Sequence, residues 1–187
     1  MTEQFAVQNC WNGDILFTAE IPVTPDMEPS RKLGLAAQWA MENNTSLCEA
    51  DLSGADLTGA NMGCADMTGA DMTGADMSGA NIRGANMGCA DMRYADMTGA
   101  NMRGANMCRA DMRGASLISA DMTSANMSNA NLRGASLISA DMSGADMRDA
   151  DMTRADMRGA NMGCADMRGT DMSGANIRSA NMRGCLT

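Results

Sequence analysis

The sequence predicts an all-β solenoid, a β-helix wound from very short strands behind a small N-terminal cap. Three observations carry that expectation. A Leu, Met or Ile recurs at every fifth residue from Leu47 to Met182, 28 times without an insertion. Two residues after this centre, Gly recurs, as at Gly54, Gly59, Gly69, Gly74, Gly79, Gly84 and Gly99. The stretch GASLISADM occurs at Gly114–Met122 and again at Gly134–Met142, twenty residues later.

A period of five excludes the regular alternatives. An α-helix turns about 100° per residue, so each unit would drift by about 140° and spray the centres over every face. A straight strand would flip each successive centre to the opposite side, because five is odd. Only a chain that turns a corner in every unit keeps the large residues on one side. The Ala two residues before each centre shares its parity and points inward. The Asp, Asn or Ser between them, and the residue after the centre, face water. Gly suits a corner that needs positive φ. Cys64, Tyr94, Arg109 and Ser119 stand where Gly is expected, so those corners are expected to use another turn.

Twenty residues are four units, which suggests a four-sided coil. Arg93, Arg113 and Arg133 share that spacing, although NMGCADM, at Asn61 and Asn86, repeats at twenty-five. Ahead of the repeats, NCWNGDILFTAEI places Asn12-Gly13 between two apolar runs, a hairpin signal. A helix is expected over about Ser30 to Glu42, with Ser30 as N-cap and Leu33, Ala36, Ala37, Ala40 and Met41 on one stripe. Residues 1–44 thus form a capping segment that covers the raw strand edge of the first coil, and residues 45–187 form the rod.

The pattern in ADLSGADLTGAN, from Ala50 to Asn61, resembles the pentapeptide repeat family, and the resemblance covers about three quarters of the chain. It implies a right-handed quadrilateral β-helix with four pentapeptides per coil. Seven such coils at the usual strand spacing would make a rod roughly 34 Å long. The chain departs from the family's commonest form in carrying Met at 20 centres, where Leu or Phe is usual.

Composition narrows the function. The chain has no His, so it lacks the commonest general base and metal ligand. A Met stripe could offer soft thioethers to Cu(I), but inward parity makes it core filling. The seven Cys include no CxxC, and with no His no four-ligand zinc site is expected. Cys89 and Cys108 are expected on adjacent coils, within disulfide reach but as free thiols. The odd Cys count and the absence of an apolar leader point to a reducing, cytoplasmic setting. Asp51, Asp71, Asp91 and Asp111, followed by Asn131, Asp151 and Asp171, are expected to stack as a solvated face beside Arg93, Arg113 and Arg133. No catalytic residue, cofactor or metal is expected.

The net charge of −9 argues against nucleic acid or an anionic membrane surface as a direct partner, and no apolar run is long enough to span a bilayer. The expected function is therefore a non-enzymatic scaffold that binds another protein. Its candidate contacts are Ile118 and Ile138, outward residues one coil apart, with Arg93, Arg113 and Arg133. The alternative follows from the resemblance: fluoroquinolone-resistance members are acidic rods that mimic duplex DNA and occupy a type II topoisomerase, DNA gyrase. The charge is uneven, however. Residues 1–82 hold 12 acids against two bases, and residues 83–187 hold 11 acids against 12 Arg. The residues after the last centre are too few for a capping helix. A homodimer is expected through the C-terminal coil, with Met182, Arg183 and Leu186 at its edge.

Overall fold

A computed structural model describes residues 1–187. The repeats form a β-solenoid in which each unit contributes one isolated bridge. Asp51 pairs in parallel with Asp71, Asp71 with Asp91, and so on to Asp166 with Leu186, always twenty residues apart. Four units therefore make one coil. The backbone ladder repeats without interruption: the Met92 N–H donates to the Asp111 carbonyl at 2.7 Å, and the Asp91 N–H to the Ala70 carbonyl at 2.9 Å.

Ala and the central residue fill the interior. From Leu47 to Met167 every centre is buried, as is each Ala two residues before a centre from Ala50 to Ala165. Met serves this narrow core because an unbranched thioether fills irregular gaps at nearly the volume of Leu. The last coil differs from expectation. Met172 and Met182 are only half-buried and Ile177 is 45% exposed, because no further coil lies over them. The residues after Met182 do not hang free: Cys185 takes an Ala position, and its thiol donates to the Met162 carbonyl at 2.9 Å.

Each corner is a four-residue turn closed by a bond such as the Ala55 N–H to the Leu52 carbonyl, 3.0 Å. The expectation of a second turn type at non-Gly corners is overturned. Cys64, Tyr94, Arg109 and Ser119 have φ between 56° and 60°, alongside Gly54 at 65° and Gly104 at 66°. A left-handed L-residue costs roughly 1–2 kcal/mol. The corner N–H is nonetheless committed to the next coil, as Tyr94 N–H is to the Arg113 carbonyl at 3.1 Å, and the ladder overrides the local preference.

The outward Asp and Asn also do more than meet water. Their side-chain oxygen accepts the N–H two residues on, as Asp51 does from Ser53 at 3.1 Å and Asp121 from Thr123 at 3.0 Å. This local bond fixes the entry to each turn. Asn side chains bond from coil to coil as well, Asn81 to Asn61 at 2.9 Å and Asn106 to Asn86 at 2.8 Å.

Strand β1 (Thr2–Gln8) and strand β2 (Ile15–Pro22) form an antiparallel hairpin. Its connection is wider than a two-residue Asn-Gly turn, with Asn9 Oδ1 accepting from the Trp11 and Asn12 N–H groups and Gly13 at φ 76°. Helix α1 (Pro29–Glu42) starts one residue before the expected boundary. Its N-cap position is Glu28, not Ser30: Pro29, whose fixed φ suits the first helical turn, moves the boundary back. The Ser30 carbonyl instead accepts the Asp56 N–H at 3.0 Å, and the Gln8 carbonyl accepts the Asp51 N–H at 2.8 Å. Hairpin and helix are thereby tied to the first coil. Trp39 stacks on Phe17 with ring centres 6.2 Å apart, and Lys32 pairs with Glu3 at 2.7 Å.

Candidate functional site

The four-sided register sorts the outward residues into columns, and one region of the rod differs from the rest. The column Asp51, Asp71, Asp91, Asp111, Asn131, Asp151, Asp171 loses its carboxylate at Asn131. On the next face the column Asp56, Asp76, Asp96, Ser116, Ser136, Asp156 loses it at Ser116 and Ser136. Where RGASLISA occurs twice, these gaps meet in a window two positions deep at Ser116 and Ser136 and one deep at Asn131; the other two faces have carboxylate-free runs of Asn, Asn61–Asn81–Asn101 and Asn86–Asn106–Asn126. Ser116 and Ser136 make no bond to the N–H two residues on, and Ser116 Oγ pairs with Thr98 Oγ1 at 2.8 Å instead.

Two surfaces meet in this window. On one side Ile118 and Ile138 stand one coil apart, as expected, with the Gly99 N–H donating to the Ile118 carbonyl and the Ser119 N–H to the Ile138 carbonyl. Both are half-buried, so they form a low apolar strip. On the other side a groove of about 370 Å³ is lined by Tyr94, Arg113, Gly114, Arg133, Gly134 and Arg154. Backbone bonds fix its register: Gly114 N–H to the Arg133 carbonyl at 3.1 Å, and Arg154 N–H to the Ser173 carbonyl at 3.0 Å.

Tyr94 is 70% exposed, yet its position is defined. A Cβ on Gly114 would come within 2.8 Å of the ring carbons, so the ring lies across that corner and Gly114 makes room for it. The three guanidiniums are not equivalent. Arg113 pairs with Asp111 at 2.6 Å, a hydrogen bond that holds the guanidinium further above its ordinary pKa. Arg133 stands beside Asn131, and Arg154 is likewise in no ion pair. Arg133 therefore neutralises no carboxylate of its own unit, because Asn131 has no charge to offer.

Arg93 is drawn away from the groove. It pairs with Asp91 at 2.7 Å; burial raises the Asp91 pKa, and the bonds from Arg93 outweigh it and hold the carboxyl low. The same within-unit pairing binds Arg148 to Asp146, Arg158 to Asp156 and Arg168 to Asp166. At Asp166 the Arg168 hydrogen bond brings the pKa to about 2. Sequence reasoning missed Tyr94 and Arg154 as site residues. The available signal was that both replace Gly in one corner column and flank Gly114 and Gly134 at the twenty-residue period.

Cys89 and Cys108 are on adjacent coils, joined by a backbone bond of 2.9 Å, with both thiols free. No group of three or more His, Cys, Asp or Glu is arranged to hold a metal ion. No helix is long and apolar enough to cross a membrane. At the C-terminal edge, Leu186 pairs with Asp166 and remains 54% exposed, and Arg183 is exposed beside the half-buried Met182.

The family model described as pentapeptide repeats matches overlapping segments from residue 43 to residue 186. Among solved structures, the chain is similar to HetL, a pentapeptide repeat protein involved in heterocyst differentiation regulation from the cyanobacterium Nostoc. The two share 32% identity over 75% of this chain and 73% of that one, with a TM-score of 0.52. It is also similar to a pentapeptide repeat protein of the Arabidopsis thaliana thylakoid lumen (31% identity, 59% and 63% coverage, TM-score 0.33). A third similarity is to QnrB1, a plasmid-mediated fluoroquinolone resistance protein (24% identity, 72% and 75% coverage, TM-score 0.41). No curated protein matches the chain. With the repeat model matching most of its length and the twenty-residue coil in place, the chain belongs to the pentapeptide repeat family.

Proposed function

We propose that the protein is a non-enzymatic, protein-binding rod: a right-handed β-helix of seven coils over residues 45–187, closed at its N-terminal end by residues 1–44. The observation that carries this reading is the window around Ser116, Asn131 and Ser136, where Ile118 and Ile138 take positions that Thr58, Ser78 and Thr98 hold on earlier coils, beside the groove of Arg113 and Arg133. A rod whose core is filled by its own side chains works through its faces. The seven unpaired thiols go with a reducing, cytoplasmic setting. Affinity capture from the native host, comparing wild type with an Ile118→Glu/Ile138→Glu double variant, tests the proposal. Specific capture that the variant loses is the expected result; the same captured proteins with both would overturn it.

A second reading, an acidic duplex mimic occupying DNA gyrase, is favoured by the column Asp51, Asp71, Asp91 and Asp111 in strict register. It is opposed by Arg93 and Arg113, each neutralising a carboxylate of that column. Titration into a gyrase supercoiling reaction is expected to leave supercoiling intact, and sub-micromolar inhibition would reverse the ranking.

We further infer a homodimer joined through the C-terminal coil, around Met182, Arg183 and Leu186. Exposed Ile177 and Leu186 with half-buried Met172 and Met182 give that end an apolar surface the upstream coils lack. A two-fold contact covers both copies and does not propagate into a fibre. Light scattering on eluting protein is expected to give the dimer mass, and a monomer at tens of micromolar would defeat it.

A further inference from the structure

We propose that the Tyr94–Arg113–Arg133–Arg154 groove is a docking site for a short acidic peptide of a partner protein, with the Ile118–Ile138 strip seating its apolar residue. The proposal rests on the protein-binding reading and names the chemistry of the partner. Charge complementarity is its first ground. Arg133 and Arg154 make no ion pair, and only Arg113 has a carboxylate beside it, so the groove carries local positive charge on a chain of net charge −9. A planar guanidinium with free donors matches a carboxylate with two parallel hydrogen bonds.

The second ground is the size of the window. On the Ser116–Ser136 face it spans two coils, about 10 Å along the rod, which is the reach of about three residues of extended chain. Beyond it the carboxylates resume, at Asp96 and Asp111 on one side and at Asp156 and Asp151 on the other. A long polyanion laid along the rod would run onto these acids, whereas a peptide with a few clustered acids would not. This favours a peptide over a nucleic acid strand.

The third ground is the wall and the strip. Tyr94 lies across the Gly114 corner and gives the groove a rigid aromatic side, the kind of surface that holds a partner at little entropic cost. Ile118 and Ile138 are on the next face of the same coils, within reach of an apolar side chain between the acids.

The test uses the full chain and a fluorescein-labelled peptide, GEELG, with GQQLG and a ten-nucleotide oligothymidine as comparison probes. Fluorescence anisotropy is expected to show binding of the Glu peptide alone, weakened by salt. Arg133→Glu and Arg154→Glu should each lower that affinity by roughly tenfold, as for charge pairs at a binding surface. Tyr94→Ala and Ile118→Ser should each lower it several-fold. Arg103→Glu, on another face, should leave it unchanged. Equal binding of the Gln peptide, or an equal loss with Arg103→Glu, overturns the proposal. Tighter binding of oligothymidine would assign the groove to nucleic acid, and self-association lost in Arg133→Glu would assign it to a second copy. Absence of peptide binding alongside an Ile118-dependent capture from the host would sink the groove and leave the scaffold standing. Absence of both would remove the scaffold as well.

Discussion

Gly34 lies inside helix α1, where Gly is ordinarily a liability, and Gly34→Ala separates local propensity from packing. Alanine in an isolated helix would be favoured by about 1 kcal/mol. Here a Cβ on Gly34 would overlap the Asp56 carbonyl oxygen of the first coil, a backbone atom that cannot swing aside. The helix must lift, and with it goes the bond from the Asp56 N–H to the Ser30 carbonyl, worth about 1 kcal/mol. Loosening the burial of Ala36, Ala37 and Ala40 removes about 0.8 kcal/mol for each methyl uncovered. Set against the propensity gain, the net is a loss of about 2 kcal/mol. Urea unfolding followed by circular dichroism measures it, with trypsin cleavage at Arg31 and Lys32 reporting the lifted helix. A variant as stable as wild type, or more stable, would refute the packing of helix on coil.

Three further outcomes follow from the same structure. Met112→Asp, which places an unpaired charge in the core, should unfold the rod, whereas Met112→Leu should cost less than about 1.5 kcal/mol and Met182→Asp, at a half-buried centre, should leave a folded chain by circular dichroism. At the corners, Gly104→Ala should cost about 1 kcal/mol, because φ is 66° and nothing crowds the new Cβ, while Ser119→Gly should gain about 0.5 kcal/mol in thermal unfolding. Stability should fall as pH drops from about 4 towards 2. The Asp166 pKa is lowered in the fold by Arg168, so its contribution is present above the unfolded carboxylate value and is lost as the carboxyl protonates. Urea midpoints across that range should show a shallower fall in Arg168→Gln.

The period of five was enough to place every Ala and every central residue from Leu47 to Met167 inside, because parity and a corner in each unit leave no other arrangement. The repeat at Gly114 and Gly134 gave the coil its four sides for the same reason, since residues twenty apart become neighbours. Local rules failed where the ladder outweighed them. Tyr94 and Arg109 look wrong for a left-handed corner, yet their N–H groups are held by the next coil. Ser30 looks like an N-cap, but Pro29 starts the helix first. Spacing alone put Ile118 with Ile138, and Arg113 with Arg133, one coil apart. Arg93 pairs with Asp91 and does not line the groove. Tyr94 and Arg154 were hidden because the turn rule treats a corner residue as a backbone requirement, whereas here two corners also carry side chains into a groove.

If a partner protein is recognised at the window and not along the whole rod, site-specific photo-crosslinking in the native host should catch it there, with benzoylphenylalanine placed at Ile118 or at Ser78, two coils earlier in the same outward column. A discrete adduct is expected at position 118 and none at position 78. Equal adducts at both positions, or an adduct at position 78 alone, would rule the window out.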